Sequence, residues 1–476
     1  MLFPTLTFAV FFVLVYPVYW LLRERGGWAW KPFILVASYI FYGFWDWRFV
    51  FLIITSTVVN QWLAVWIDPP GYRLRRQVLA VAVAFNLGIL GVFKYYGFFI
   101  DSINTSLRRL GIGTRLPLLE IIVPVGISFF TFQAITYVVD IYQGKIKPAS
   151  LIDFAVYLAF FPHIVAGPIV RAAEFIPQLR QAWPVERRQA SRAAWLIGLG
   201  LFKKVVIASN VATAIVDPVF ALPGQHSAPE ILLAVYGYAV QIYADFSGYT
   251  DMAIGIALLL GITFPQNFDR PYTAISLQDF WRRWHMTLSR WLRDYLYISL
   301  GGSRKGRGKT YRNLLLTMTL GGLWHGASLT FVAWGLFHGL GLAVERWFGE
   351  RRAARGVVEP EAASASRQWL GRLLTFHLVC VGWVLFRSDS FGTAVTILTR
   401  SVTAWGSAAP LVTTNLLLVI GAAIAMQYFP VRLSHRFEVA FAEPPLVVQG
   451  AVMGVVVALI FALGPKGVAP FIYYQF

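Results

Sequence analysis

The sequence predicts an all-α polytopic membrane protein, and three observations carry that expectation. Hydrophobic residues make up 57% of the 476-residue chain and charged residues only 13%, against roughly 25% charged in soluble domains. The apolar residues recur as separate blocks along the whole length instead of gathering into one core pattern. The basic residues fall between those blocks: 41 Lys and Arg stand against 23 Asp and Glu, a formal charge of +18.

A spanning helix needs about 20 mainly apolar residues. Ten blocks meet or approach that length: residues 6–22, 49–67, 78–100, 118–142, 193–216, 231–260, 329–344, 370–386, 411–426 and 447–463. Shorter blocks at 33–45 and 154–170 read as short, broken or re-entrant helices. The expectation is therefore about 10 to 13 membrane segments with interfacial and re-entrant helices. Residues 1–22 lack a basic n-region and a small-residue cleavage site, so they read as a retained anchor. With a single cysteine, Cys380, the chain can form no internal disulfide. No metal site is expected.

Arginines cluster at Arg23 and Arg25, at Arg73 to Arg76, at Arg180 to Arg192, at Arg304 to Arg312 and at Arg346 to Arg355. The positive-inside rule places these loops in the cytoplasm, with Arg108, Arg109 and Arg115 falling against the pattern. No repeat or soluble domain stands out, so residues 1–476 read as one membrane domain. Residues 351–367, rich in Ala, Glu and Arg, read as a flexible cytoplasmic linker within it.

Residues 277–300 differ from the rest in being long, charged and periodic. On a helical wheel Arg282, Arg283, Arg290 and Arg293 gather on one side, and Phe280, Trp284, Leu288, Trp291 and Tyr295 on the other. His285 falls at the edge between the faces. This predicts an amphipathic helix at the interface or lining a cavity. The following loop, with Arg304 and Lys305 among glycines, is basic enough to meet anionic lipid or a phosphate-bearing ligand.

Polar residues inside apolar runs are costly and mark sites or pathways. Asp245 and Asp251 read either as acid/base groups or as partners of loop arginines that hold the fold. His163 lies between two prolines and a glycine, in a broken helix, and either lines a cavity or is a satisfied packing residue. His325 lies in Gly321-Gly-Leu-Trp-His-Gly-Ala-Ser328. Glycines there permit close approach of a backbone or ligand, and histidine can take and return protons near neutrality. The alternative is a histidine packed between helices. His338 and His377 read as structural.

The run from Phe280-Trp-Arg-Arg-Trp-His285 to Gly302, followed by Leu320-Gly-Gly-Leu-Trp-His-Gly-Ala327, resembles the membrane-bound O-acyltransferase family. More narrowly, it resembles the branch containing the membrane subunit of bacterial alginate O-acetylation. Pro124-Val-Gly-Ile-Ser128, Phe161-Pro-His-Ile-Val-Ala-Gly-Pro168 and Asp245-Phe-Ser-Gly-Tyr-Thr-Asp251 agree. The resemblance implies a helical bundle around a central tunnel, with His325 and His285 as the catalytic pair. It implies transfer of an acetyl group from a thioester, acetyl-CoA or a carrier protein, toward an exported polysaccharide. It also implies the bacterial inner membrane and periplasmic relay proteins. Arg282, Arg283, Arg290, Arg293, Arg304 and Lys305 would then hold an anionic donor, with no bound cofactor. Other acceptors remain open: peptidoglycan, cellulose, another exopolysaccharide, or D-alanine transfer. So do a transporter without acyl chemistry and a non-catalytic scaffold.

The terminal Phe471-Ile-Tyr-Tyr-Gln-Phe476 resembles the end of a small protein that works with the D-alanyl-transfer members, where a tyrosine is a proposed acyl carrier. By position that residue is Tyr473. Its other reading is an aromatic interface anchor. The carrier reading expects an acetyl ester on Tyr473 when the C-terminal peptide is trapped during turnover and weighed by mass spectrometry. Peptide with neither Tyr473 nor Tyr474 modified would refute it.

Overall fold

The computed structural model describes residues 1–181, 185–356 and 364–465. Helices are the only regular elements among them. In chain order they are α1 (Leu6–Glu24), α2 (Trp30–Gly43), α3 (Arg48–Ile67), α4 (Arg75–Leu90), α5 (Tyr96–Arg109), α6 (Ile127–Tyr142), α7 (Leu151–Ala159), α8 (Ala172–Phe175), α9 (Arg187–Leu201), α10 (Ser209–Val211), α11 (Asp217–Ala221) and α12 (Ala228–Leu259). There follow α13 (Leu277–Arg283), α14 (Met286–Trp291), α15 (Arg307–His325), α16 (Leu329–Ala354), α17 (Ala365–Arg387), α18 (Phe391–Thr403), α19 (Thr414–Ala425), α20 (Val431–Ala442) and α21 (Leu446–Leu463).

Among the described residues six helices are long and apolar enough to cross a bilayer: α1, α3, Arg75–Arg109, Arg187–Ala221, α17 and α21. A seventh arises if the pair Thr414–Tyr428 and Val431–Ala442, bent by 96°, counts as one broken span. The other predicted spans are also helical, with one exception in extent. In the block at 118–142 the helix starts only at Ile127; the residues before Pro124 are mostly exposed and non-helical. Pro117 and Pro124 favour extended backbone in the residues that precede them, which breaks the run despite its apolarity. The helices α12 and α16 have 32 and 26 residues but carry Asp245, Asp251 and His338 in their apolar stretches.

The described chain falls into two compact units. The first comprises Met1–Ala193 with Ala253–Pro265. Within it Arg23, expected in a loop, is buried instead. Its guanidinium donates to the Leu260 carbonyl at 2.7 Å and to the Tyr19 hydroxyl, so its charge is solvated by protein oxygen. Asn60 of α3 and Asn86 of α4 exchange amide hydrogen bonds of 2.6 and 3.2 Å, a polar tie between apolar helices. The predicted break around His163 is present as a run of turns between α7 and α8. His163 is buried among Phe160, Phe175 and Phe264, and its Nε2 donates to the Tyr157 carbonyl at 2.8 Å.

The second unit holds Ala194–Met252 and the chain from Gln266 onward. Its centre is the hairpin of α15 and α16, joined by Gly326, Ala327 and Ser328, the last capping α16 through Thr330 N. The two helices touch backbone to backbone. A Cβ on Gly322 would strike the Phe331 carbonyl oxygen and lie 2.9 Å from the Gly335 Cα; one on Gly335 would strike the Met318 carbonyl. Small residues are what allow membrane helices to approach so closely.

The linker predicted at 351–367 is shorter than expected. Ala, Arg and Glu are good helix formers, and α16 runs on to Ala354 while α17 begins at Ala365. Residues 357–363 of that segment lie outside the described residues, as does Tyr473.

Gly322→Ala inserts a methyl where a carbonyl oxygen stands, and overpacking of this kind costs about 1–3 kcal/mol. The variant is expected to melt at a lower temperature in detergent than the parent. An unchanged melting curve would refute the close contact.

Candidate functional site

The segment predicted as one amphipathic helix is broken in the middle, and the break builds the site. The helix α13 ends at Arg283, and α14 begins at Met286 before passing into a π-helical turn, Leu292–Tyr297. Between them His285 has φ 41 and ψ 54, in the left-handed region. A left-handed non-glycine residue is uncommon and is held there only by its surroundings. The apolar set read from the sequence is still the buried set: Phe280, Trp284, Leu288, Trp291 and Tyr295 are all buried.

The holding group is Asn267, 18 residues earlier and fully buried. Its backbone carbonyl accepts from Met286 N at 2.9 Å. Its side-chain oxygen accepts from Thr287 N at 3.2 Å and from the Thr287 hydroxyl at 2.9 Å, and lies 3.2 Å from His285 Nδ1. These bonds replace helical ones and explain the break. They also fix a tautomer. A backbone N–H can only donate, so Oδ1 of Asn267 is the acceptor and His285 Nδ1 carries the hydrogen. Neutral His285 therefore presents a lone pair at Nε2. That nitrogen is buried and has no hydrogen-bond partner among the described residues.

The ring itself is clamped by aromatic contacts. Phe246 of α12 meets it edge-on at 4.7 Å, and Phe268 lies parallel at 6.4 Å. Next to Phe246, Asp245 pairs with Lys204 at 2.6 Å, both buried; one turn and a half on, Asp251 pairs with Lys203 at 2.6 Å. The partners are thus two consecutive lysines on the π-helical turn Phe202–Ala208, not loop arginines. Such turns are frequent at functional sites. Both carboxylates are engaged in holding α12, which favours their structural role.

His325 is the last residue of α15 and is buried. Its ring stands perpendicular to Trp324, Trp334 and Phe386, with centroids at 4.9, 5.1 and 5.3 Å. Trp324 also faces His285, at 6.3 Å, so one indole lies against both histidines. Forty residues apart in sequence, the two form a pair in an aromatic, water-poor setting. His163 belongs to the first unit and takes no part in this cluster. His377 bonds Tyr236 and the Leu373 carbonyl on an exposed surface.

The basic residues divide. Arg283 is engaged with Asp279 at 2.8 Å and Asp269 at 3.8 Å, and Arg293 with Asp294 at 2.6 Å. Arg290 is half-buried. Arg282, Arg304 and Lys305 are exposed and make no ion pair among the described residues. The loop carrying the last two is pinned from within by Asn313, whose buried amide donates to the Leu300 and Gly302 carbonyls at 3.2 and 3.1 Å. At its far end Arg307 is tied to Glu350 at 2.7 Å.

Sequence reading missed Asn267 and Trp334. An asparagine in a loop and a tryptophan in an apolar run carry no local signal of a distant partner.

The described residues thus bury a clamped pair of histidines in a long-helix membrane protein, with exposed basic residues on the same segments of chain. Comparison with known proteins specifies the class. The model of the membrane-bound O-acyltransferase family matches residues 43–384, and the chain belongs to that family. It is 42% identical over 390 residues to a probable alginate O-acetylase of Pseudomonas aeruginosa, covering 81% of this chain and 72% of the relative. A peptidoglycan O-acetyltransferase of Helicobacter pylori is 37% identical over 398 residues, covering 77% and 73%. A teichoic acid D-alanyltransferase of Bacillus subtilis is 29% identical over 280 residues, covering 56% and 69%. The protein is a multi-pass membrane acyltransferase.

Asn267→Ala removes the acceptor that orients His285. Misplacement by about 1 Å costs about 10²-fold in rate, so acyl transfer is expected to fall by that factor while the protein still accumulates in the membrane. A wild-type transfer rate in this variant would show that the clamp does not matter.

Proposed function

We propose that the protein takes an acetyl group from a thioester donor on the cytoplasmic side of the bacterial inner membrane and passes it toward O-acetylation of an exported polysaccharide. The observation that carries this reading is the buried pair His285 and His325, set against one indole with His285 held by Asn267, in a chain of the O-acyltransferase family. The relatives of about 40% identity are named for alginate, which makes alginate the first acceptor to test. The peptidoglycan O-acetyltransferase relative makes peptidoglycan the second.

A thioester is already activated, so the task is to make a hydroxyl nucleophilic. Neutral His325 takes the hydroxyl proton as the oxygen attacks the acyl carbon. The C–O bond forms, the C–S bond breaks, and the proton passes from His325 to the departing sulfur. General base catalysis of this kind contributes about 10²–10⁴-fold. His285, with its lone pair at Nε2, orients the thioester donor by accepting from a pantetheine amide N–H, since the single hydroxyl hydrogen goes to His325. This narrows its role: while neutral, it lacks a hydrogen at Nε2 to offer a developing oxyanion.

Arg282, Arg304 and Lys305 suit the phosphates of acetyl-CoA, or of a phosphopantetheine-bearing carrier, better than Arg283 and Arg293, which already face carboxylates. Periplasmic proteins would carry the acetyl group onward. Tyr473 remains a proposed relay point at the end of the chain.

His325→Ala is expected to abolish acetyl ester in the exported polymer while the protein inserts and accumulates normally. Base-labile acetate released from purified polymer is the measurement. Undiminished ester content would sink the acyl-transfer reading of this site and favour transport or scaffolding.

A further inference from the structure

When the hydroxyl attacks, the thioester carbonyl oxygen takes on negative charge, and preorganised hydrogen-bond donors aimed at that oxygen are usually a large part of catalysis. His285 does not supply one in its neutral form. Beside His325, on α16, lies a group of buried nitrogens that the mechanism has not used.

Trp334, whose ring faces His325, also faces His338 one turn further on, at 5.0 Å. His338 is fully buried, in a run where it was expected only to pack. Neither of its ring nitrogens has a hydrogen-bond partner among the described residues, and nor has Trp334 Nε1. Buried polar groups are nearly always hydrogen-bonded in folded proteins, so each exception calls for an explanation. Two of these nitrogens lie close to the same glycine. A Cβ built on Gly382 of α17 would lie 2.8 Å from His338 Nε2 and 3.5 Å from Trp334 Nε1. Any side chain at Gly382 would crowd both nitrogens.

Both rings are rigidly held. His338 lies parallel to Phe280 at 6.2 Å and edge-on to Trp281 at 5.4 Å. Trp334 lies parallel to Trp383 at 5.9 Å. One turn along α17 from Gly382, Phe386 touches both His325 and Trp334, at 5.3 and 5.1 Å. The nitrogens over Gly382 are therefore one helical turn from the catalytic ring, in the same aromatic box.

We propose that Trp334 Nε1 and His338 Nε2 form a two-point subsite over Gly382 for one hydrogen-bond-accepting oxygen used in acyl transfer. Two oxygens share this chemistry, the carbonyl of the acyl thioester and a retained water. With the carbonyl bound there, the electron pair of the C=O bond moves onto that oxygen as the hydroxyl adds. It returns as the C–S bond breaks, and both N–H groups hold the charge in between. The subsite rests on reading His325 as the base of an acyl transfer.

The test uses cells whose sole copy of the full chain is parent or variant. It reads the initial rate of labelled acetate incorporation into base-labile ester of the exported polymer, per unit of membrane-inserted protein. His325→Ala is the control: wild-type incorporation there would overturn the acyl-transfer reading itself. With that control inactive, His338→Phe keeps the stacking on Phe280 but removes the nitrogens, and is expected to lose about 10²-fold. His338→Gln, which retains a donor, should keep at least about a tenth of the parent rate by the same reasoning. A His338→Phe rate within threefold of the parent would overturn the subsite. Gly382→Ala and Gly382→Ser separate the two oxygens. Equal loss in both identifies the thioester carbonyl, whereas recovery in the serine variant, whose hydroxyl replaces a water, identifies a retained water. If His338→Phe fails to accumulate, Gly382→Ala decides alone, and a parental rate in it overturns the proposal.

Discussion

The contact on which the second unit depends is the meeting of two backbones at Gly322 and Gly335. With no side chain at either position, α15 and α16 approach until glycine lies against glycine. That approach does more than pack a hairpin. It sets His325, three residues beyond Gly322, at the end of α15 beside Trp334, one residue before Gly335. A methyl at either glycine would push the helices apart, and the perpendicular contact of the His325 ring with the Trp334 indole would go with it. Lipid offers no hydrophobic penalty to separation, so close van der Waals contact of this kind is a main source of helix association in a bilayer.

A second constraint is polar and acts on His285. One side chain, Asn267, ends a helix, holds a left-handed residue and chooses a tautomer through a few hydrogen bonds. Hydrogen bonds of this sort are strengthened where water is scarce and costly to leave half-made. The buried Lys204–Asp245 pair belongs to the same logic. Breaking either side would leave an uncompensated charge, and Asp245 neighbours the phenylalanine that clamps the His285 ring. The site is thus supported by a shell of residues whose own conformations are fixed.

The two histidines are held in different ways. Both lie against Trp324, yet they sit in different settings. His285 is fixed by a hydrogen bond at Nδ1 and by Phe246; His325 is fixed by three perpendicular aromatic faces. The exposed cations Arg282, Arg304 and Lys305 stand outside this aromatic box, on the segments that flank the two histidines in sequence.

The sequence by itself determined the helical membrane class, since apolar blocks of bilayer length leave few alternatives when backbone groups must be satisfied internally. It also determined which face of residues 277–300 is buried, because 3.6-residue periodicity survives a local break. His325 stood out through its glycine and small-residue surroundings, and His285 through the resemblance its motif carries. What the tertiary structure decided came from contacts between residues far apart in the chain. It broke the helix at His285, because Asn267 offers better bonds than the helix does. It gave Asp245 and Asp251 lysine partners, Lys204 and Lys203, on a turn of another helix. It buried Arg23 among carbonyl oxygens, and it brought nitrogens of His338 and Trp334 close to Gly382. No local pattern records such meetings, because each depends on where another helix lies.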